Sequence, residues 1–261
     1  QNSVTLINPN AHELDTILPS APSRYEDIVI FTDIRRVRQC DTCPFTTEVN
    51  TTGLANALVR IYGPQASNQL IQESITSYSF LQLSDLLDNV DDDTTNTLAE
   101  NLQAADWVIF NTLDIDPDYP ESDALQMVLE DRVDLVSGKN VIVFAMGSPT
   151  YLDATNISKV TAYYGLYSKT SAFLDVAARV LMKETDPPGA LPVSLNAIGY
   201  DLISITAPNP SQVIGLDLVL PEATQEEEQE ETQFVTGTPE PIMMPSYNIG
   251  DTLTVRTTQI L

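Results

Sequence analysis

Three apolar runs leave this chain little choice of architecture. "DIVIFTD" (27–33), "DWVIFNTLD" (106–114) and "NVIVFAMGS" (140–148) are continuous, rich in β-branched and aromatic residues, and closed off by acidic or polar ends. A strand with one wet face alternates polar and apolar residues, whereas a strand buried on both faces does not. These runs therefore belong inside a parallel sheet covered on both sides.

Segments of helical spacing separate them. "LANALVRIYG" (54–63) places apolar residues at 54, 57, 58, 61 and 62, and Gly63-Pro64 is expected to stop it. "SDALQMVLEDRVDLV" (122–136) sets Leu125, Val128, Leu129 and Val133 on one face, with Ser122 as the expected N-cap. "SAFLDVAARVLMK" (171–183) repeats the spacing with Phe173, Val176, Ala177, Val180 and Leu181 behind a Ser171 cap. Shorter strands are expected over 3–7, 74–80 and 160–167. Short helices over 81–87 and 97–105 flank the acidic turn Asp91-Asp92-Asp93, and residues 8–26 read as a proline-containing connector.

Strands alternating with helices give an α/β class: a mostly parallel sheet sandwiched by helices, plus a C-terminal β segment. We expect an α/β-sandwich domain over 1–220 and a linker over 221–245, where six glutamates between 222 and 231 repel one another and extend the chain. Residues 246–261 alternate apolar and polar residues. They read as the start of a β-sandwich (immunoglobulin-like) module or as a docking strand, and residues 247–261 could support self-association by strand donation.

The 261 residues carry 12 basic and 37 acidic side chains, a formal charge of −25. Such a field repels nucleic acid and anionic membranes, which are discounted as partners, and no run approaches the roughly 18 apolar residues of a membrane span. The start at Gln1 has neither an initiator Met nor a basic-then-apolar leader, so a processed or truncated end is expected. Cys40 and Cys43 are the only cysteines. A C-x-x-C pair can be a redox motif, half of a zinc site or a local disulfide. Pro44 and the Thr-rich stretch after it place the pair in a loop, and a second ligand pair for zinc is absent. A local disulfide in an oxidising compartment is the favoured reading, with Arg35, Arg36 and Arg38 positioned to lower a thiol pKa if the sulfurs were free.

Chemistry is harder to find. "MGSPT" lacks the second glycine of a nucleophile elbow, and the one histidine, His12, lies in a distant connector where a surface or capping duty fits better. No Gly-rich phosphate loop is present. The crevice outside the carboxyl ends of the strands is where open α/β sheets bind ligands. Asp33, Asp114, Ser148 and Tyr151 all fall at such ends and are the candidate substrate-contacting residues. Asp33 with Asp114 could in principle form a carboxylate pair, although acids at strand ends more often cap turns. "AYYGLYSK" reads as core in preference to a sugar-stacking platform. No metal site and no cofactor is expected.

The ordered set Gly147-Ser148-Pro149-Thr150-Tyr151, Tyr167-Ser168, Ala177-Ala178-Arg179 and Gly189-Ala190-Leu191-Pro192-Val193, with "IVIFTD" and "RIYGPQAS" upstream, resembles the second, α/β-sandwich domain of family 3 glycoside hydrolases. The branch it resembles is the bacterial β-N-acetylhexosaminidase-like one. The resemblance covers about residues 1 to 215, and "YNIGDTLTVRTTQI" is similar to the opening of an immunoglobulin-like module. In that family the nucleophilic aspartate and the Asp-His acid/base lie on an N-terminal (β/α)8 barrel that this sequence does not contain, so no catalytic residue carries over. Some members place an acid/base glutamate on the second domain, for which Glu121 and Glu130 are the nearest positions here.

The resemblance implies an accessory, non-catalytic domain of a secreted or cell-surface glycosidase, partnered by the barrel of its parent chain and by carbohydrate. The parent reaction would be retaining hydrolysis of terminal β-N-acetylglucosaminides or β-glucosides. The alternative is a cell-surface assembly protein that uses a glycosidase-derived domain and donates its C-terminal strand.

Overall fold

A computed structural model describes residues 4–38, 40–207, 213–218 and 255–260. The chain falls into two compact units, Gln1–Ile205 and Thr206–Leu261. In chain order the first unit runs β1 (Thr5–Asn8), α1 (Ala11–Ile17), β2 (Ile28–Thr32), β3 (Arg36–Val37), β4 (Thr46–Thr47), α2 (Gly53–Tyr62), β5 (Ile75–Ser79), α3 (Phe80–Leu87), α4 (Asp93–Ala104) and β6 (Trp107–Thr112). It continues with α5 (Ala124–Asp131), β7 (Asn140–Ala145), α6 (Ala154–Ile157), β8 (Ala162–Gly165) and α7 (Ser171–Leu181), and the short α8 (Leu202–Thr206) straddles the boundary in sequence.

Six strands form one sheet in the order β1-β8-β7-β6-β2-β5. All neighbours are parallel except β1, which runs antiparallel along β8. The apolar runs are explained by the two cores they feed. Ile28, Ile30, Trp107, Ile109, Ile142 and Phe144 point to the layer built by α1, α2 and α7. Their neighbours Val29, Phe31, Val108, Phe110, Val141 and Val143 point to the layer of α3, α4, α5 and α6. Alternate residues thus enter opposite cores, and each fully buried large side chain contributes roughly 1.5–3 kcal/mol. Tyr163 and Tyr164 divide in the same way, one into each core.

Local signals account for most helix ends. Asp92 caps α4 by accepting from Thr95 N–H, and Ser79 with Gln82 closes a capping box on α3. Gly63 ends α2 with an ordinary extended φ of −75°, so its role is close approach: a Cβ there would sit 2.2 Å from the Val59 carbonyl oxygen. Three expectations are corrected. The connector 8–26 contains α1, capped by Asn10, whose side chain accepts from Glu13 N–H. Helix α5 stops at Asp131, the chain turns at Arg132, and Val133 is about half exposed instead of lying on the apolar stripe. Ser122 and Ser171 are not caps: Ser122 is buried in the turn before α5, and Ser171 is the first residue of α7 behind Thr170.

In the second unit, β9 (Val213–Leu218) pairs antiparallel with β10 (Val255–Ile260), from Val213 opposite Ile260 to Leu218 opposite Val255. The expected linker 221–245 and residues 246–254 and 261 of the expected C-terminal β segment lie outside the described residues. Among the described residues no helix is long and apolar enough to cross a membrane.

Candidate functional site at the strand ends

The sheet has a topological switch point. From β2 the chain moves outward through α2 to β5, then returns through α3 and α4 to β6 on the other side of β2, and continues to β7 and β8. The two directions of winding place helices on opposite faces and part the loops between β2 and β6. Ligands of open α/β sheets sit in that gap.

Here the gap is filled by the protein itself. Asp33 follows β2, is fully buried, and donates its backbone N–H to the Asn111 carbonyl at 3.0 Å. The Arg35 guanidinium grips it with two bonds, Nη2 to Oδ2 at 2.9 Å and Nε to Oδ1 at 3.4 Å. The same guanidinium reaches Asp116 Oδ2 at 3.2 Å through Nη1 and the Asp114 carbonyl through Nη2, and it lies 5.5 Å over the Tyr119 ring. The loop after β6 is held in turn by Ser122, whose Oγ accepts from Asp116 N–H and donates to Asp116 C=O.

Burial raises the Asp33 pKa above the usual carboxylate value, and the hydrogen bond and charge of Arg35 offset part of that rise. Burial also works against the Arg35 charge, but the bonds and fields of Asp33, Asp116 and Glu48 outweigh it and hold the guanidinium above its ordinary value. The arrangement is a charged plug. At the end of β6 beside it, Asn111 Oδ1 and Thr112 Oγ1 are buried without a hydrogen-bond partner among the described residues.

The ends of β7 and β8 are built differently. The Asp114 carboxylate turns away from the plug and accepts the Ser148 N–H at 2.8 Å. It packs so close to Gly147 that an added Cβ would stand 2.8 Å from its Oδ1. Ser148 Oγ shares a hydrogen bond with Thr150 Oγ1 at 2.8 Å. Tyr151 and Tyr163 are buried and donate to the carbonyls of Ser122 at 2.7 Å and Pro149 at 2.9 Å, and burial raises both phenol pKa values. Asp33, Asp114, Ser148 and Tyr151 therefore do gather at the same end of the sheet. Asp33 and Tyr151 face inward, however, while Asp114 is exposed and Ser148 half-buried.

Other candidates are dispersed. His12 stands in the first turn of α1, which follows antiparallel β1 at the end of the sheet where the parallel strands begin, opposite to the end that carries Ser148. Glu130 accepts from Asn156 Nδ2 at 3.0 Å. Cys40 and Cys43 are joined in a disulfide within the loop between β3 and β4. Grooves of about 730 and 630 Å3 lie between α2 and β5 and beside α1 and β1, and neither is lined by the four strand-end residues. Among the described residues no three His, Cys, Asp or Glu side chains come together as a metal site. Sequence reading missed Arg35 as the organiser. The available signal was a basic residue two positions beyond a strand-end aspartate in a chain short of bases.

No family model matches this sequence, and no curated protein matches it. Solved structures are similar to it at low identity. One is a fungal multi-domain family 3 β-N-acetylglucosaminidase described with a GCN5-related glucosamine N-acetyltransferase region (TM-score 0.47, 16% identity, 84% of this chain and 20% of that one). Another is a family 3 β-N-acetylglucosaminidase from a Paenibacillus species (0.45, 12%, 72% and 30%). A third is the β-glucoside phosphorylase BglX bound to 2FGlc (0.44, 15%, 75% and 30%). This chain spans 20% to 30% of the length of those chains.

Proposed function

We propose that this chain is the accessory α/β-sandwich domain of a family 3-type glycoside hydrolase, without catalytic residues of its own, which packs on a (β/α)8 barrel and shapes its sugar site from one side. The observation that carries the reading is the plugged switch point. A ligand crevice at β2 and β6 is occupied by Arg35 and its carboxylates, so the strand ends present a pre-set loop surface where a pocket would otherwise open. Around them lie the motif residues that carry the family resemblance, with Gly147 and Ser148 fixed by Asp114.

The reaction proposed for the parent is retaining hydrolysis of a terminal β-linked N-acetylglucosamine or glucose, with carbohydrate as the shared ligand. An extracellular or cell-surface setting suits the bonded cysteines and the acid excess. The test is intact mass and N-terminal sequencing of the native protein, followed by a chromogenic N-acetyl-β-glucosaminide assay. The expected result is a longer chain with a barrel ahead of Gln1 that hydrolyses the glycoside, while residues 1–261 alone release no chromophore. A native chain beginning at Gln1, or turnover by residues 1–261 alone, overturns the reading.

A further inference from the structure

The arginine that follows the plug has a different environment. β3 and β4 pair as a two-residue hairpin, Arg36 opposite Thr47 and Val37 opposite Thr46. Arg36 and Arg38 are two apart, so they project from the same face, and both guanidiniums lie over the Phe45 ring, at 5.3 and 3.9 Å from its centre. Both arginines and Phe45 are exposed, and among the described residues neither arginine has a carboxylate partner. That is unusual economy in a chain with three acids for every base.

The hairpin is also fixed in place. Tyr119 Oη donates to the Arg36 carbonyl at 2.8 Å, Glu48 N–H to the Arg35 carbonyl at 2.9 Å, and the Cys40–Cys43 disulfide closes the tip. Arg38 Nη1 also donates to the Asp41 carbonyl at 3.3 Å, and stacking on an aromatic face orients a guanidinium while leaving its remaining N–H groups free for a carboxylate.

We propose that Arg36, Arg38 and Phe45 form a clamp for a single carboxylate carried by a sugar, such as a uronic acid unit. The identification of the sugar rests on the carbohydrate reading above, and the clamp itself rests on the hairpin geometry. The overall charge of −25 repels polyanions at long range far more than a single anion, so an isolated carboxylate among neutral hydroxyls is the anionic ligand that can approach. The exposed Thr47 beside Arg36 offers a hydroxyl to such a ring.

The experiment is isothermal titration calorimetry of the whole chain at low ionic strength with methyl β-glucuronide and its neutral counterpart methyl β-glucoside. The glucuronide is expected to bind about tenfold more tightly, and the Arg36→Gln/Arg38→Gln double variant to lose about that factor while its thermal unfolding is unchanged. A Phe45→Leu variant, which keeps both charges, is expected to bind more weakly than the parent chain. Equal affinity for the two glycosides, or an unaffected double variant, overturns the clamp. N-acetylglutamate amide binding as tightly as the glucuronide overturns the sugar assignment. None of these outcomes depends on whether a barrel precedes Gln1.

Discussion

Arg35 and Arg36 are neighbours in sequence and opposites in situation. Arg35 is turned into the gap between β2 and β6, with carboxylates on two sides and an aromatic ring beneath it. Arg36 is turned out to water, shares the Phe45 ring with Arg38, and among the described residues has no carboxylate partner. The inner arginine holds the fold together at the point where a related architecture would open a pocket. The outer pair contributes little to stability, as exposed charges do, and is available for recognition. One hairpin thus separates structural duty from binding duty within two residues.

That contrast can be broken most severely at the plug. Arg35→Met leaves a buried carboxylate uncompensated, and a loss of about 3–5 kcal/mol is expected in urea unfolding at pH 7. Adding Asp33→Asn is expected to restore most of it; a double variant as unstable as the single one would show that Arg35 acts mainly through Asp116 and the Asp114 carbonyl. The pH dependence gives the sign. Asp33 has a folded pKa raised above its ordinary value of 3.8, so the folded state holds this proton more tightly than the unfolded chain does. Its ionisation costs stability above the folded pKa, and the cost disappears as pH falls through that pKa toward 3.8. In Arg35→Met the folded pKa climbs further, so the variant's deficit is expected to shrink between pH 7 and about 4.5. A deficit that is constant across that range argues against a buried charge as its cause.

Removing the disulfide with Cys40→Ser/Cys43→Ser opens a very short loop and is expected to cost roughly 2 kcal/mol at most. Hydrogen exchange should quicken in residues 36–47 and not in β2. Gly147→Ala pushes on the Asp114 carboxylate, an exposed group that can yield, so a loss of about 1 kcal/mol is expected. Its signature is faster exchange of the Ser148 amide, which donates to that carboxylate. The smallest effect belongs to the tip. Phe45→Ala is expected to change stability by within about 0.5 kcal/mol, and a larger loss would mean that the hairpin is part of the structural unit it borders.

How much of this was readable in advance follows from the range of the interactions. The buried strands were legible because burial on both faces writes a continuous apolar run, as Val108, Ile109 and Phe110 show by feeding alternate cores. Helix α1 is masked in the sequence by the prolines around it, although Asn10 and Glu13 spell its cap. Val133 was misplaced because periodicity cannot register the turn at Arg132. The strand-end candidates were found as a group, since winding order alone brings carboxyl ends together. Which of them face inward was not legible. That depends on Arg35 meeting Asp116, 81 residues away, and no local pattern encodes such a meeting.

The antiparallel strand at the margin of the sheet has a consequence for how the chain is made. Among the six strands of this sheet β1 is synthesised first, yet its partner is β8, the last of them, with Asn8 opposite Tyr163. Tyr163 lies 155 positions beyond Asn8 (163 − 8), a stretch that takes on the order of 8–30 s to synthesise at typical elongation rates. For that interval residues 5–8 have no strand to pair with, and the six-stranded sheet can be completed only after β8 has emerged. Stalling or truncation between β7 and β8 should therefore yield a nascent chain in which β1 has no strand beside it and β7 lacks one neighbour, and make it a client for chaperones.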